Sequence, residues 1–367
     1  MVTSSAPPDR QQPLSGLGAD KEDVVGVAQQ SKVPNTTIVD IAAASGVSVA
    51  TVSRILNNKP DVAEKTRQRV LRVMEEIGFA PQNAWRQIRS GQTRLIAVHV
   101  PQEYNPPAYR LVMSAALGVE DAGYSINIIT RTLADAELLG IFRSRQADGI
   151  ILLEILTEDR RPELLRDHGY PFVMIGRRTD NAGLSFADVD VEQGMGLAVG
   201  HLVGLGHRRI GLLTIDPVVR GNTYGFATWA MRGYERACVE HGLSVIRRVG
   251  APSAGAMADA AGRLLDEHPD VTACIAPQDQ SVIGLFKAAA DRGIRVPTDL
   301  SVVAMLDESL AELATPPLTT IGFPSDDLGR AAARILLDRL DRGRTTPDQV
   351  LVAPELTVRG STARPPR

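Results

Sequence analysis

The stretch Thr37–Asn57, which reads TIVDIAAASGVSVATVSRILN, decides how the N-terminal part of the chain folds. Thr37 followed three residues later by Asp40 is a capping-box pattern, and the apolar residues behind it recur at helical spacing. Gly46 interrupts this pattern, and Ser48 starts a second helical run. Two short helices joined by a tight turn that contains glycine predict a helix-turn-helix.

A third helix is predicted directly after this pair. Asp61 with Glu64 is expected to cap it, and Gly78 is expected to end it. Its apolar stripe is formed by Val62, Val70, Val73, Met74 and Ile77. The three helices predict an all-α head over residues 34–80, and the Pro-, Gln-, Gly- and Ser-rich residues 1–33 before it are predicted to form a disordered arm.

Charge is distributed unevenly along the chain. Residues 32–94 hold 10 Lys and Arg against 5 Asp and Glu, a balance of +5, whereas the whole chain carries −3. The remaining residues therefore carry −8. A basic head on an acidic body indicates that one module of the protein faces nucleic acid.

The second helix of the pair carries side chains that suit the major groove of DNA. Val49 and Ala50 lie near its start and offer apolar contact, while Arg54 one turn later can donate a pair of hydrogen bonds to guanine. The small polar residues that would position the helix on the duplex are Thr37, Ser48, Thr51, Ser53 and Asn57. The alternative interpretation is a structural three-helix domain with solvated charges.

The pattern changes from Leu95 onward. Short apolar runs typical of buried parallel strands are LIAVHV, INIIT, GIILL, PFVMI, RIGLLT, TACIA and SVVAML. Helical stretches separate several of them, namely Leu111–Ala122, Gly194–Leu205, Trp229–His241, Ala256–Glu267 and Val282–Arg292. Strands that alternate with helices predict an α/β fold of doubly wound parallel sheets, and the length of residues 93–367 predicts two such lobes in sequence.

The segment Thr37–Asn57 resembles the DNA-binding head of the lactose-repressor family, whose pattern runs T-I-x-D-I/V-A-x-x-A-G-V-S-x-x-T-V-S-R-x-L-N; Ser45 stands where alanine is usual. The resemblance continues through GFAPQNAWRQIRSGQTRLIAV, YPFVMIGR, VDVEQG, HLVGLGHRRIG, RGIRVPTDLSVVAM and PPLTTIGFPSDDLGRAAA. It implies a dimeric transcription regulator that binds pseudo-palindromic operator DNA, a repressor, with activation as the alternative that stays open. It also implies that a small effector, a sugar or another metabolite, binds a periplasmic-binding-protein-like domain of two lobes and controls the head.

The resemblance further implies a hinge helix within residues 81–92 that folds on DNA and inserts an apolar side chain into the minor groove, a place that Ile88 takes here. Arg86 and Arg89 would meet phosphates, or else form a solvated basic face. Trp85 stands where the family usually has alanine. Four roles stay open for Trp85: stacking on DNA sugars, widening of the minor groove, packing on the regulatory domain, or partial burial at the surface.

Two doubly wound lobes bind a ligand in the cleft at the carboxyl ends of their strands. Candidates for this cleft are Glu154 after GIILL, and Gln278 and Asp279 in APQDQSVIG, where Gln278 replaces the usual asparagine. Capping of the helix that follows is the alternative role for Asp279. Asp190 is expected to be structural.

Two departures from the family pattern affect the expected effector. Ala230 stands three residues before the pair Gly233-Tyr234, where the family often has an arginine. Leu306 stands after the strand pattern SVVAM, where the family usually has an acidic residue, and the first acidic residue here is Asp307. Loss of both polar anchors predicts an effector other than a polar monosaccharide held by a bidentate arginine. A more apolar cleft, or ordinary helix packing, is indicated by Tyr224, Phe226 and Trp229.

Other function classes find little support. A solute-binding protein for transport would share the lobes but not residues 1–94, and the sequence lacks the G-x-S-x-G elbow, Walker loop and dinucleotide fingerprint of common enzymes. It shows no metal-ligand spacing, cofactor motif, secretory pattern or membrane-length apolar run. Cys238 and Cys274 are expected to be reduced core thiols of a cytoplasmic protein. The C-terminus has no leucine heptad, so a homodimer without an added tetramer coil is expected.

Overall fold

The computed structural model describes residues 37–56, 59, 61–77, 92–100, 106–219 and 221–366. These residues fall into two compact units, and the division between the units comes after Trp85. The N-terminal unit contains only helices, whereas the C-terminal unit alternates strands with helices. The predicted combination of an all-α head with an α/β body is therefore confirmed.

The described part of the N-terminal unit contains helices α1 (Ile38–Ser45), α2 (Val49–Leu56) and α3 (Glu64–Glu76). The chain bends by 108° between α1 and α2, which is within the range of a helix-turn-helix. Gly46 makes the turn with a φ of 65°, in the left-handed region that favours glycine. The predicted helix-turn-helix is present.

The N-terminal caps of two of these helices are the residues that the sequence predicts, and the cap of the third is not. Thr37 and Asp40 form the capping box, in which the Thr37 N–H donates to Asp40 Oδ2 over 2.7 Å. Ser48 Oγ accepts a backbone N–H near the start of α2 over 3.1 Å. The prediction that Asp61 caps α3 is wrong, because the N-cap is Ala63, whose side chain makes no cap hydrogen bond.

The first lobe of the C-terminal unit is built on one parallel sheet. Its strands are β1 (Leu95–His99), β2 (Ser125–Ile129), β3 (Gly149–Leu152), β4 (Phe172–Ile175), β5 (Phe186–Val189) and β13 (Gln349–Val352). They lie in the order β13-β5-β4-β3-β1-β2. The helices of this lobe are α4 (Pro106–Glu120), α5 (Asp135–Arg143), α6 (Arg160–Asp167) and α12 (Ser325–Arg342).

The second lobe repeats this plan. Its strands are β6 (Ile210–Ile215), β9 (Ile246–Gly250), β10 (Ala273–Ala276), β11 (Ser301–Leu306), β12 (Thr319–Gly322) and β14 (Leu356–Thr357). They lie in the order β14-β12-β11-β10-β6-β9, with β14 antiparallel to β12. A small hairpin is formed by β7 (Val218–Val219) and β8 (Asn222–Thr223). The helices are α7 (Val191–Leu205), α8 (Gly225–Glu240), α9 (Ala254–Glu267), α10 (Asp279–Asp291) and α11 (Glu308–Leu313).

The lobes do not follow one another along the chain, so the prediction of two lobes in sequence is wrong on this point. The chain passes between them after Val189, after Gly322 and after Val352. Strand β13 returns to the first sheet and pairs with β5, while α12 packs against α4. Local periodicity reports which residues form a strand but not which distant strand covers its edge.

Hydrophobic packing is continuous across the two lobes. One cluster of buried side chains includes Ile96 and Val98 from the first sheet together with Val303 and Ile321 from the second. Cys238 and Cys274 are buried and free. In the N-terminal unit a separate small core holds Ile41, Ala42, Val52, Ile55, Val70 and Met74.

Among the described residues we find neither a single membrane-spanning helix nor a cluster of metal ligands. No single helix is both long and apolar enough to cross a membrane, although the bent pair α1 and α2 meets the length and composition criteria when taken together. No group of three or more His, Cys, Asp or Glu side chains there is arranged to hold a metal ion.

Candidate functional site

The solvent-facing side of α2 carries most of the residues predicted to contact DNA. Val52 and Ile55 turn into the core of the head, which leaves the opposite face of the helix free. The exposed residues are Ser48, Val49, Ala50 and Arg54, and the half-buried ones are Thr51 and Ser53. The helix therefore presents the predicted apolar and cationic groups together on one outward surface.

Arg54 has an acidic neighbour in this surface. Its Nε lies 3.8 Å from Asp61 Oδ2, and both side chains are more than half exposed. An exposed pair of this length contributes about 0–1 kcal/mol, so a base or phosphate can replace Asp61 at little cost. Thr37, at the start of α1, donates its hydroxyl to Asp40 Oδ2 over 2.7 Å and is thus engaged in its own cap.

Several predicted DNA contacts lie outside the described residues. They are Asn57, which follows α2 in the sequence, and the hinge residues Arg86, Ile88 and Arg89. Trp85, for which several roles stay open, lies outside the described residues as well. Their roles stay predictions from the sequence.

A cavity of about 450 Å³ lies between the two lobes of the C-terminal unit, at the carboxyl ends of their parallel strands. Its volume is within the range of sites that hold small ligands. Both lobes line it, largely with apolar and aromatic side chains that include the predicted Tyr224, Phe226 and Trp229. Glu154, Gln278, Asp279 and Asp307, the predicted polar candidates, all lie in the lining as well.

Glu154 follows β3 in a backbone conformation that is unusual for a residue with a side chain, with a φ of 52°. Arg161 Nη2 donates to the carbonyl oxygens of Leu153 over 3.1 Å and of Glu154 over 2.9 Å. Arg161 is fixed in turn by Asp159 at 2.6 Å and His99 at 2.9 Å. Burial and the charge of Arg161 lower the pKa of His99 to about 4, so this ring is neutral and its Nδ1 can accept. A buried ionic group therefore holds the turn that presents Glu154.

Gln278 and Asp279 stand where β10 leads into α10. Gln278 is the N-cap residue, and its amide is used within the lobe, because Nε2 donates to Thr214 Oγ1 over 3.0 Å and Oε1 accepts from Ser281 Oγ over 2.9 Å. The alternative that Asp279 caps α10 is wrong, because Asp279 is already the first residue of the helix. Burial, together with the charge of nearby Asp307, raises the pKa of Asp279. Its carboxylate makes no ion pair with a described Lys or Arg and is available to a ligand.

Asp307 follows β11 and caps α11, accepting the Ser309 N–H over 3.1 Å. Its Oδ1 also lies 2.5 Å from Nη1 of Arg110, which belongs to α4 in the first lobe. The acid at this position is therefore committed to a bond across the cleft. A ligand that used Asp307 would have to share it with Arg110 or replace Arg110.

Trp229 lies in α8 and is only 5% exposed. The guanidinium group of Arg177, which follows β4 in the first lobe, lies over its ring at 5.2 Å from the centroid, and that of Arg232 lies at 5.6 Å. Nη1 of Arg177 is 3.6 Å from Asp188, and Nη2 is 3.7 Å from Glu192. Trp229 thus supports an arginine of the opposite lobe in addition to lining the cavity.

Asp188, in β5, is a buried acid of this cavity with 8% of its surface exposed. Its Oδ1 accepts the Val189 N–H over 2.9 Å. Burial raises the pKa of Asp188 to about 7, against the opposing effect of the Arg177 charge. The carboxyl group can therefore gain or lose a proton near neutral pH.

Three charged residues of the cavity were not among the candidates from sequence: Arg110, Arg177 and Asp188. Arg177 comes directly after the strand pattern PFVMI and one glycine, so a search for polar residues at strand ends would have found it. Asp188 lies inside a strand that the apolar runs did not reveal. Arg110 has no local signal, because its partner is nearly two hundred residues away in the chain.

The two positions that lack the family's anchors are apolar in their surroundings too. Ala230 is fully buried, and Leu306 lines the cavity.

Gly233 lets α8 approach α7 closely, because a Cβ there would lie 2.6 Å from the Glu192 carbonyl oxygen. Asp190 caps α7 by accepting the Gln193 N–H over 3.0 Å and is structural, as expected.

Comparisons with known proteins match both units. Residues 37–82 match the family described as bacterial regulatory proteins, lacI family, and residues 199–362 match the periplasmic binding protein-like domain. The transcriptional regulator MalR of Streptomyces coelicolor is 36% identical, and the alignment covers 90% of this chain and 98% of MalR. The regulator CelR of Thermobifida fusca is 30% identical over 89% of this chain and 98% of CelR.

Solved structures agree with this result. A complex of the transcriptional regulator CelR with cellobiose has a TM-score of 0.67 and 28% identity, and the match covers 89% of this chain and all of that one. The lac repressor dimer bound to operator and the anti-inducer ONPF has a TM-score of 0.75 and 25% identity, with 89% and 99% coverage. The chain belongs to the lacI family of bacterial transcription regulators, and it is a DNA-binding regulator rather than an enzyme.

Proposed function

We propose that this protein is a transcription repressor that binds a pseudo-palindromic operator as a homodimer and that a small molecule in the cleft controls this binding. The proposal rests on the presence of two features in one chain. One is the helix α2, which carries the exposed Arg54. The other is a cleft whose two lobes are joined by the contact between Arg110 and Asp307. Each half-site would receive one α2 helix in its major groove. The hinge residues of the two chains would meet at the central minor groove, inside the cytoplasm where the chromosome lies.

An apolar face on the C-terminal unit supports a dimer. Tyr109, Met113 and Leu117 recur every four residues along α4 and are 69%, 46% and 63% exposed. Arg110 joins the start of this stripe to α11, whose Leu310 and Leu313 are 51% and 82% exposed. Tyr109 and Leu310 also line the cavity, so the support for a protein interface comes from the exposed apolar residues beyond it, Met113 and Leu117 on α4 and Leu313 on α11. The lac repressor of similar fold has been solved as a dimer on its operator.

A carbohydrate is the first effector class to consider. The CelR relative has been solved in complex with cellobiose. The cleft of this chain offers carboxylates from both lobes, Glu154 and Asp188 in the first and Asp279 in the second, around aromatic walls. Lobe closure on the effector would shift the population of chains whose paired heads fit the operator.

The decisive experiment is a gel shift of the full-length protein with the DNA upstream of its own gene. We expect a specific complex that a scrambled duplex of equal composition does not displace, and sedimentation should give two chains per duplex. Addition of an effector sugar should change the fraction of bound DNA. Equal affinity for scrambled DNA, or a monomer on the specific duplex, would overturn the proposal.

A further inference from the structure

Thr93 and Arg94, which we call the linker root, connect the predicted hinge to β1, and a carboxylate holds them both. The two oxygens of Asp148 accept the backbone N–H of Thr93 over 2.7 Å and that of Arg94 over 2.8 Å. Asp148 is half-buried directly before β3, and its own N–H donates to the Leu95 carbonyl oxygen over 2.8 Å. A carboxylate anchored in the sheet therefore fixes two consecutive peptide units of the linker root.

The backbone of Arg94 has an uncommon conformation. Its φ is 56°, in the left-handed region that residues with a side chain rarely adopt. Such a conformation persists only where the surroundings determine it. Asp148 binds the Arg94 N–H, and the Arg94 carbonyl oxygen accepts the Ser125 N–H over 2.9 Å. The linker root is thus bound on both sides of the residue at which it enters the sheet.

The side chain of Arg94 adds a second set of contacts. Its guanidinium group lies over the Tyr124 ring at 4.7 Å from the centroid, and Nη1 donates to the Ala122 carbonyl oxygen over 3.2 Å. Nη1 also lies 4.0 Å from Asp341 in the last turn of α12. Tyr124 is only 3% exposed, and its hydroxyl donates to the same Asp341 over 3.2 Å. Three separate segments of the first lobe therefore converge on the linker root.

These contacts add little to the core of the lobe. Strand β1 is already paired with β2 on one side and with β3 on the other, from Leu95 and Ile96 onward. Thr93 and Arg94 precede this pairing and are only half-buried. What the contacts restrict is the direction in which the chain arrives at the sheet from its N-terminal side.

We propose that Asp148 is a positioning residue for DNA binding: by fixing the linker root it sets the direction in which the linker leaves the regulatory domain, and thereby the spacing of half-sites that the two heads of a dimer can reach. This inference rests on the proposed function, because it requires two chains on one operator. Each base pair inserted between half-sites moves them apart by about 3.4 Å and turns them by about a tenth of a helical turn. A root held in one direction rejects such a change, whereas a loosened root tolerates it.

The test measures fluorescence anisotropy of the full-length protein with three labelled duplexes. The first is the segment upstream of its own gene that the wild type protects from nuclease, the second has two base pairs inserted at the centre of that segment, and the third is scrambled. The wild type should bind the second duplex roughly tenfold more weakly than the first. Asp148→Ala should bind the first several-fold more weakly than the wild type and should separate the two spacings by less than about threefold. Affinity for the scrambled duplex should stay within about twofold of the wild type, because phosphate contacts of the heads are unchanged.

Asp148→Asn keeps one acceptor oxygen and is the milder variant should alanine destabilise the fold. Its discrimination between the spacings should lie between those of the wild type and Asp148→Ala. Sedimentation and thermal unfolding establish that each variant is a folded dimer. A purely structural defect lowers the unfolding temperature and the active fraction but leaves the ratio of affinities for the two spacings unchanged.

The matched control is Asp180→Ala. It removes the same charge and also an acceptor of a backbone N–H, that of Ala182 over 2.9 Å, but in the exposed loop between β4 and β5. This variant should discriminate between the two spacings as the wild type does.

The outcomes separate this inference from the proposed function. Wild-type discrimination between the spacings in both Asp148 variants, or an equal loss of affinity for all three duplexes, would overturn the role of Asp148. If the wild type itself bound both spacings equally, or bound the scrambled duplex as tightly as its own upstream segment, the proposed function would fail whatever the variants did.

Discussion

Nη1 of Arg110 lies 2.5 Å from Oδ1 of Asp307, so helix α4 of the first lobe is bonded directly to the start of α11 in the second. Arg110 Nη2 also lies 3.5 Å from Asp326 at the beginning of α12. This bond exists only while the lobes are close at this edge of the cleft. It therefore biases the equilibrium between lobe arrangements, which is the equilibrium that an effector must shift.

Arg110→Ala should weaken effector binding two- to tenfold. An effector that contacts both lobes needs them close together, and removing the bond makes their approach less favourable. The effect is modest because the Arg110 side chain is 39% exposed, and ion pairs with this solvent access contribute about 1 kcal/mol or less. Calorimetric titration measures it. Arg330→Ala is the control, because Arg330 pairs with Asp327 inside α12 at 3.0 Å and does not join the lobes. Equal losses in both variants would contradict the prediction.

Arg54→Ala should remove about 1–3 kcal/mol of discrimination at one base pair in each half-site, because its fork is the group suited to guanine. Arg89→Ala should instead weaken binding evenly across sequences and flatten the salt dependence, as expected for a phosphate contact. A competition gel shift with single-base variants of the operator distinguishes the two patterns. If both substitutions gave the same pattern, the division into base and phosphate contacts would be wrong.

Asp61→Asn provides a matched variant on the same surface. It removes the acid 3.8 Å from Arg54 without changing α2, the helix that we propose enters the major groove. We expect tighter binding to all DNA sequences by a few-fold, since one repulsion with phosphates disappears, and no change in base preference.

The sequence was sufficient for the elements with strong local signals. The helix-turn-helix was predictable from the capping pair Thr37 and Asp40 and from Gly46 in the turn. The continuous apolar runs correspond to β1–β4, β6, β10 and β11. The cap of the third helix was predicted wrongly because the helix begins at Glu64, two residues later than a cap at Asp61 would place it, and its N-cap Ala63 has no side-chain acceptor that a sequence pattern could reveal. The return of β13 to the first sheet could not be predicted, since a short strand such as QVLV carries no record of its partner.

The candidate site was predictable where it follows directly from strand ends. Glu154, Gln278 and Asp279 come after predicted strands, and all line the cavity. Which of these side chains can bind a ligand depends on their neighbours in the fold. The Gln278 amide donates a hydrogen bond to Thr214, whereas Asp279 makes no ion pair with a Lys or Arg among the described residues. Arg177 reaches the Trp229 ring on α8 from the other lobe, and no local pattern on α8 can reveal that contact.

Asp188→Asn should change how stability depends on pH. The pKa of Asp188 in the folded protein is raised to about 7, so between about pH 4 and 7 the folded state keeps a proton that the unfolded state has lost, and stability falls as pH rises. Asparagine cannot ionise. Relative to the wild type, the variant should therefore gain about 1–3 kcal/mol in free energy of unfolding between about pH 5 and pH 7.5. Urea unfolding of the C-terminal unit at the two pH values measures the difference.

The control for this experiment is Asp259→Asn, at an exposed position on α9. This variant leaves the Asp188 carboxyl group unchanged, so it should not show the change that Asp188→Asn causes between the two pH values. A constant difference between Asp188→Asn and the wild type at both pH values would show that the Asp188 carboxyl titrates normally in the folded protein.

Gly233→Ala should destabilise the C-terminal unit by about 1–3 kcal/mol, because the added Cβ would lie 2.6 Å from the backbone of Glu192 and force α7 and α8 apart. Gly196→Ala on α7 is the matched control, because a Cβ there meets nothing within 4 Å. The control should gain about 0.5–1 kcal/mol from its better helix propensity. Thermal unfolding compares them, and a stable Gly233→Ala protein would contradict the close approach of these helices.

Common monosaccharides should bind the cleft poorly. Ala230 and Leu306 stand at the two positions where the resemblance leads us to expect polar anchors, and each sugar hydroxyl left unpaired against such side chains costs about 1–3 kcal/mol. The remaining polar groups come from opposite lobes around a cavity of about 450 Å³, which a larger molecule fills better. Titration with glucose, galactose and ribose should give at least tenfold weaker binding than titration with disaccharides such as cellobiose and maltose. Asp279→Ala should weaken the binding of a disaccharide, and Trp229→Leu should weaken it too. A monosaccharide of micromolar affinity that needs Asp279 but is indifferent to Trp229 would show that this cleft holds a small polar sugar after all.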